Sequence, residues 1–186
     1  MLELSFPTMS AEEYLVCEQK GDVRHEYVYG YTYALAGGSS RHNRISLNIA
    51  SHFLQLAQSK PCRVYQEGMK LRIEAEGSLF YYPDVMVVCG KPEPDPFFET
   101  EPCVLVEVLS PGTKNTDLRE KLAAYKGLPS VQTYLIAEAE RLVVRRFWKE
   151  TDSHWHQEDL TGDGDIALPC LDGTLTLPQI YRGVFS

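Results

Sequence analysis

The apolar positions of the chain fall into two periods. Residues 40–58, SRHNRISLNIASHFLQLAQ, return Ile45, Ile49, His52 or Phe53, and Leu56 at intervals of three to four, the spacing of one helix face, and predict the most regular helix of the N-terminal half. MSAEEYLVCEQKG predicts a shorter helix: Ser10 caps it, Glu13 three residues on completes a capping box, and Gly21 stops it. DLREKLAAYKG repeats that logic with Asp117, Glu120 and the stop at Gly127. Elsewhere the period is two, or the run is continuous. RHEYVYGYTYALAGG reads as a strand pair or a strand bent at Gly30, CRVYQEGMKLRIE as one alternating strand, and LFYYPDVMVVC as the next, with Gly77 turning between them. CVLVEVLS is nearly all apolar and β-branched, the pattern of a strand covered on both faces. Residues 90–102 hold four prolines and predict a loop. VQTYLIAE, RLVVRRFWK and HWHQEDL predict three further strands, and GTLTLPQIYRGVF a closing strand and turn.

This order predicts a mixed α/β (α+β) fold, a central mixed sheet flanked by helices, and the length of 186 residues suits one domain over 1–186. No segment approaches the roughly 18 consecutive apolar residues of a membrane span. The start, MLELSFPTMSAEEY, lacks the basic and apolar regions of a secretory signal, so a cytoplasmic location is expected. The five cysteines, Cys17, Cys62, Cys89, Cys103 and Cys170, are odd in number and form no CxxC pair; neither a disulfide framework nor a cysteine zinc site is predicted, and reduced core residues are expected. A net charge of −8 argues against sequence-independent coating of nucleic acid, which needs lysine and arginine to neutralise phosphates. It leaves room for a local basic groove, drawn from Arg41 and Arg44, the stretch 114–126, and Arg141, Arg145 and Arg146.

Two apolar runs are each broken by one acid: Asp84 stands before Val85–Val88, and Glu107 stands inside Val104–Leu109. An ionised carboxylate buried without a partner costs several kcal/mol, roughly, so each must be neutral, paired or holding a metal. If the two strands are neighbours, the carboxylates can converge on one divalent cation, and hard oxygen donors of this type suit Mg²⁺ or Mn²⁺. After Glu107 the chain leaves through SPGT into a helix on which Asp117, Lys121 and Tyr125 lie four apart and share a face. A lysine returned toward a metal-bound carboxylate can orient or deprotonate a water and balance charge on a phosphorane-like transition state.

Pro83-Asp84, Glu107 within VLVEVLSPGT, and then Asp117, Lys121 and Tyr125 resemble the Uma-type restriction endonuclease family, a former bacterial domain of unknown function within the PD-(D/E)XK nuclease superfamily. The resemblance runs over nearly the whole chain, from RHEYVYGYTYALAGGSSRH to LPCLDGTLTL. It implies a restriction-endonuclease-like nuclease domain in which Asp84 and Glu107 are metal ligands for Mg²⁺ (or Mn²⁺) and Lys121 is the catalytic lysine. Glu26 and His42 match family positions, as an additional acid and a phosphate contact; Asp117 and Tyr125 become partners around the lysine, and Gln66 a water or metal contact. The superfamily motif places its lysine two residues after the second acid, but here Val108 and Leu109 follow Glu107, and the resemblance moves the lysine to the next helix, at Lys121. DNA is the implied substrate, a homodimer the implied assembly, and no membrane association is expected.

Three readings compete. The first is a metal-dependent endodeoxyribonuclease. The second, motivated by the acidic charge and the displaced lysine, is a catalytically inactive scaffold of the same fold that binds nucleic acid or oligomerises. The third, a glycosidase using the acid pair, leaves Lys121 idle. His154 and His156 share a strand face but lack a third zinc ligand nearby. DLTGDGDI lacks the closing Glu of a calcium loop and reads as a hairpin turn. No GxxxxGK loop or GxSxG elbow is present, which removes ATPase and serine hydrolase readings.

Overall fold

The computed structural model describes residues 8–74, 77–109, 117–150 and 154–185. The first helix, α1 (Ala11–Glu18), starts at the expected capping box, with the Ser10 side chain accepting from the Glu13 amide and the Glu13 side chain accepting from the Ser10 amide. The tyrosine-rich run is a hairpin, β1 (His25–Val28) and β2 (Tyr31–Ala34), turned by Tyr29 and Gly30, both at positive φ. Helix α2 (Ser40–Ala57) then buries Ile45, Ile49 and Phe53 completely, and burial is worth about 1.5–3 kcal/mol for each such side chain.

Two expected strands are each divided. CRVYQEGMKLRIE becomes β3 (Cys62–Gln66) and β4 (Lys70–Glu74), which belong to different sheets, because Glu67 (φ 45°) and Gly68 (φ 92°) turn the chain between them. LFYYPDVMVVC becomes β5 (Ser78–Tyr81) and β6 (Val85–Cys89), separated at Tyr82-Pro83-Asp84, where proline cannot supply a ladder amide. The proline-rich loop holds only the two-residue β7 (Phe98–Glu99). Strand β8 (Pro102–Leu109) is buried at every position. Residues 110–116 lie outside the described part, and the chain resumes in a π-helical turn (Asp117–Lys121) that runs into α3 (Leu122–Gly127). Strands β9 (Thr133–Glu138), β10 (Val143–Lys149) and β11 (Trp155–Thr161) follow as expected. Then come β12 (Asp165–Leu168), a 3₁₀ turn (Pro169–Leu171), β13 (Gly173–Thr176) and α4 (Leu177–Ile180). DLTGDGDI is not a hairpin turn. β12 pairs with β13 rather than β11, and Gly162 (φ 76°) carries the chain from one sheet to another.

The central sheet is mixed, in the order β11-β10-β9-β8-β6-β3, with β8 and β9 parallel and the other pairs antiparallel. A second sheet runs β2-β1-β5-β4-β7. Period-two alternation inside the continuous apolar runs explains the double coverage. Val85, Val87, Val104, Val106 and Val108 pack toward α2, the β12–β13 pair and α4, while Met86, Val88, Leu105 and Leu109 pack toward β4, β5 and Tyr125 of α3. Among the described residues no helix is long and apolar enough to cross a membrane.

The cysteine expectation is overturned. Cys62 is joined to Cys89, and Cys103 to Cys170, while Cys17 is free and exposed. Sequence spacing hides this, because the antiparallel register of β3 and β6 sets Cys62 opposite Cys89 across 27 positions.

Candidate active site

Strands β6 and β8 are neighbours, with Val85 opposite Val106, so Asp84 just ahead of β6 falls beside Glu107. The Val108 amide donates to Asp84 Oδ2 at 2.6 Å, which holds that carboxylate against the strand carrying the second acid. Two further groups reach Asp84. His42, in the first turn of α2, places Nε2 3.2 Å from Asp84 Oδ2. That turn is capped by Ser39, whose side chain accepts from the His42 amide, and the residue before the cap is glycine for a steric reason: a Cβ at Gly38 would lie 2.7 Å from His42 Nδ1. Glu67, in the left-handed turn after β3, donates its amide to the Asp84 carbonyl at 3.1 Å. His42, Glu67 and Asp84 each offer one donor atom, and these lie within 4.8 Å of one another.

Glu107 belongs to an adjoining lysine-centred cluster. Its side chain is 5% exposed and that of Lys121 a similar 6%, depths at which a lone charge is not tolerated. Lys121 Nζ lies 2.9 Å from Glu26 Oε1 and 3.2 Å from Glu107 Oε2. One turn on, the Tyr125 hydroxyl donates to Glu107 Oε1 at 2.8 Å. Burial, and then the Glu107 charge, push the Tyr125 phenol well above its usual range, so it remains a donor. Glu26 also accepts the Tyr82 amide at 3.2 Å. The Tyr81 ring, whose own hydroxyl is pushed up to about 12 by burial first and by Glu26 and Glu120 next, lies under the ammonium at 5.7 Å.

A cavity of about 650 Å³ joins the two clusters, lined by His42, Glu67 and Asp84 on one side and Glu26, Glu107 and Lys121 on the other. The structure therefore gathers Asp84, Glu107, Lys121, Glu26, His42 and Tyr125. Gln66 is drawn away, donating its amide to Ser46 Oγ at 3.1 Å. The Asp117 side chain lies outside the described residues. His156 stacks on Trp148 at 5.4 Å, at the far edge of the central sheet. Sequence reasoning missed Glu67, whose one signal is the Glu-Gly pair interrupting an alternating run. The donor chemistry of Asp84, Glu67 and His42, two carboxylates and an imidazole, fits a hard or borderline divalent cation, with Glu107 in the same cavity.

A mixed sheet whose adjacent antiparallel strands bring two acids together, joined by a lysine from the following helix, defines a protein of the restriction-endonuclease-like fold class. The chain belongs to the Uma2 family, described as "Putative restriction endonuclease", whose profile matches residues 11–178. It is similar to two uncharacterized proteins of Synechocystis sp.: one is 31% identical, covering 96% of this chain and 94% of the relative, and the other 28% identical, covering 83% and 89%. The crystal structure of a "putative nuclease belonging to DUF820" from Anabaena variabilis ATCC 29413 shares the fold, with a TM-score of 0.76 at 16% identity, over 95% of this chain and 99% of that one.

Proposed function

We propose that this protein is a divalent-metal-dependent endonuclease that hydrolyses phosphodiester bonds of DNA at the cavity between Asp84 and Lys121. The observation that carries this reading is the buried Lys121 ammonium, held between Glu26 and Glu107 in the same cavity as Asp84, Glu67 and His42. A structural ion pair needs one carboxylate for one ammonium. Here carboxylates outnumber the cations around them, which disfavours the apo state and favours a positively charged guest. A phosphodiester approaching Glu26, Glu67, Asp84 and Glu107 is repelled until that charge is balanced, which motivates metal dependence.

Asp84, with Glu67, His42 or Glu107 completing the set, would hold Mg²⁺ or Mn²⁺, and the bound ion would supply a more acidic water and a polarised phosphoryl oxygen. The chain's own groups do the rest. The Val108 amide and His42 fix the Asp84 carboxylate, Tyr125 fixes Glu107, and Lys121 carries a positive charge where charge accumulates on the phosphorus oxygens. Removing one such preorganised donor costs on the order of 10²–10³-fold in kcat, the loss expected for Lys121→Met.

The test is nicking of supercoiled DNA with Mg²⁺ or Mn²⁺, run beside calorimetric metal binding. Wild type should bind the ion and nick; Asp84→Asn, folded by circular dichroism, should lose both. DNA binding by wild type without nicking in either ion would overturn the nuclease reading in favour of an inactive scaffold.

A further inference from the structure

At the opposite end of the strands that carry the acids, four cysteine sulfurs meet. Cys89 is five residues along from Asp84, at the far end of β6, and Cys103 is four residues before Glu107, at the start of β8, which separates the sulfurs from the carboxylates by roughly 13–17 Å along the strands. The side of the sheet differs too: Cys103 is in the core between the sheet and α2, with Cys62, Cys89 and Cys170 packed against it, whereas Glu107 lies with Lys121 and Tyr125. Cys62 comes from β3, the edge strand, and Cys170 from the 3₁₀ turn between β12 and β13. Four separate elements thus deliver one sulfur each.

The two disulfides are in contact with each other. Cys89 Sγ lies 3.6 Å from Cys103 Sγ, although these atoms belong to different bridges, and the sulfurs of Cys89, Cys103 and Cys170 all lie within 4.8 Å of one another. Sulfurs sharing a tetrahedral zinc ion with Zn–S bonds of about 2.3 Å stand about 3.8 Å apart, close to the spacing already present. We propose that Cys62, Cys89, Cys103 and Cys170 are a convertible site, two disulfides when oxidised and a tetrathiolate site for one thiophilic divalent cation, Zn²⁺, when reduced. The conversion balances in two steps. Two equivalents of a dithiol reductant are oxidised to cyclic disulfides while the two protein disulfides become four thiols; the four thiols then bind Zn²⁺ and release four protons. Cys103 is buried and the other three are half-buried, so reductant and metal reach the cluster from the β3 edge and the 3₁₀ turn while the core keeps the ligands together. Cys17, exposed on α1, is no part of it.

The experiment reads Co²⁺ binding to the full chain after reduction and removal of the reductant, since Co²⁺ bound to thiolates in a tetrahedron has intense visible and charge-transfer absorption that carboxylate or imidazole ligands do not give. The reduced protein should take up one Co²⁺ per chain with that spectrum, lose it to Zn²⁺, and show four of its five thiols protected from alkylation. Oxidised protein should show no such spectrum, Cys17→Ser and Asp84→Asn should leave the reduced spectrum unchanged, and Cys170→Ser should alter it. Native mass spectrometry in Zn²⁺, which needs no variant to fold, should show reduced wild type carrying one zinc more than oxidised wild type. A reduced, folded wild type with no thiolate–cobalt absorption, or with four freely alkylated thiols in the presence of Zn²⁺, would overturn the proposal.

Discussion

Lys121 sits where an ammonium survives only by pairing. Glu26 lies 2.9 Å away on one side and Glu107 3.2 Å away on the other, and Tyr125 takes up the second oxygen of Glu107. Lys121→Met keeps the aliphatic stem but leaves two carboxylates facing a low-dielectric gap, so it should cost about 3–5 kcal/mol in urea unfolding, the scale for breaking a buried pair from one side. Tyr125→Phe keeps the ring against Tyr81 and Tyr134 and removes a single donor to a charged group, for about 1.5–3 kcal/mol. If Lys121→Met cost no more than substitution of the exposed Lys20, the ammonium would not be buried in solution. Glu107, like Asp84, was legible in the sequence for the same reason that it matters here: a carboxylate against an apolar run violates the burial rule and demands a partner, whereas Glu26 entered only through the family resemblance. Glu67 violates nothing, since an acid in a polar turn is ordinary, and only the fold reveals that its turn abuts Asp84.

At the scale of elements, periodicity located α2 and the buried strands, and caps and stop glycines located α1 and α3, because each is specified by its own residues, whereas α4 (Leu177–Ile180) stands where a turn was expected. What periodicity did not locate were the places where the chain changes sheet. CRVYQEGMKLRIE alternates on both sides of Gln66-Glu67-Gly68, but its apolar positions pass from even (Cys62, Val64) to odd (Met69, Leu71, Ile73) across that polar step, where Glu67 and Gly68 adopt positive φ and divide it. That turn connects stability to the site, since Glu67 is held against Asp84 by it. Gly68 stands at φ 92°, where a Cβ would meet nothing nearer than the Arg24 guanidinium at 3.5 Å, so Gly68→Ala isolates the conformational cost from any clash. It should destabilise the fold by about 1–2 kcal/mol and weaken Mn²⁺ binding as Glu67 shifts. Unchanged urea midpoints with unchanged Mn²⁺ affinity would mean that the turn adopts another conformation in solution. The disulfides were hidden for a related reason: register and packing bring the four cysteines together, and neither is written in their spacing.

Among the described residues, four of the arginines expected to line a basic groove are paired with acids. Arg41 pairs with Glu140, Arg141 with Glu138, Arg145 with Asp159 and Arg146 with Glu158, so these four are engaged by acids, mostly at the exposed edge of the central sheet, where each pair contributes at most about 1 kcal/mol. The larger pH-dependent contribution comes from the buried tyrosines. Burial is the main cause that raises Tyr14, Tyr81, Tyr82, Tyr125 and Tyr181 above the ordinary tyrosine range, with Tyr81 and Tyr181 pushed up to about 12. In the unfolded chain these phenols ionise near pH 10, roughly, while the native chain still holds their protons, so above that pH the unfolded state binds fewer protons and stability falls as pH rises. Their contribution is complete below the unfolded value and disappears as pH climbs through about 12. Lys70, Lys126 and Lys149, lowered by desolvation, act in the opposite direction, but only until the unfolded lysines lose their protons near 10.4, roughly. Above that point the tyrosines act unopposed. Base titration should therefore withhold the part of the tyrosinate absorbance that belongs to the buried tyrosines until a steep step between pH 11 and 12, roughly, coincident with the loss of far-UV circular dichroism. A gradual rise that takes in every tyrosine with the circular dichroism intact would show that Tyr14, Tyr81, Tyr125 and Tyr181 admit solvent, and of these Tyr81 and Tyr125 stand beside the Lys121–Glu107 pair.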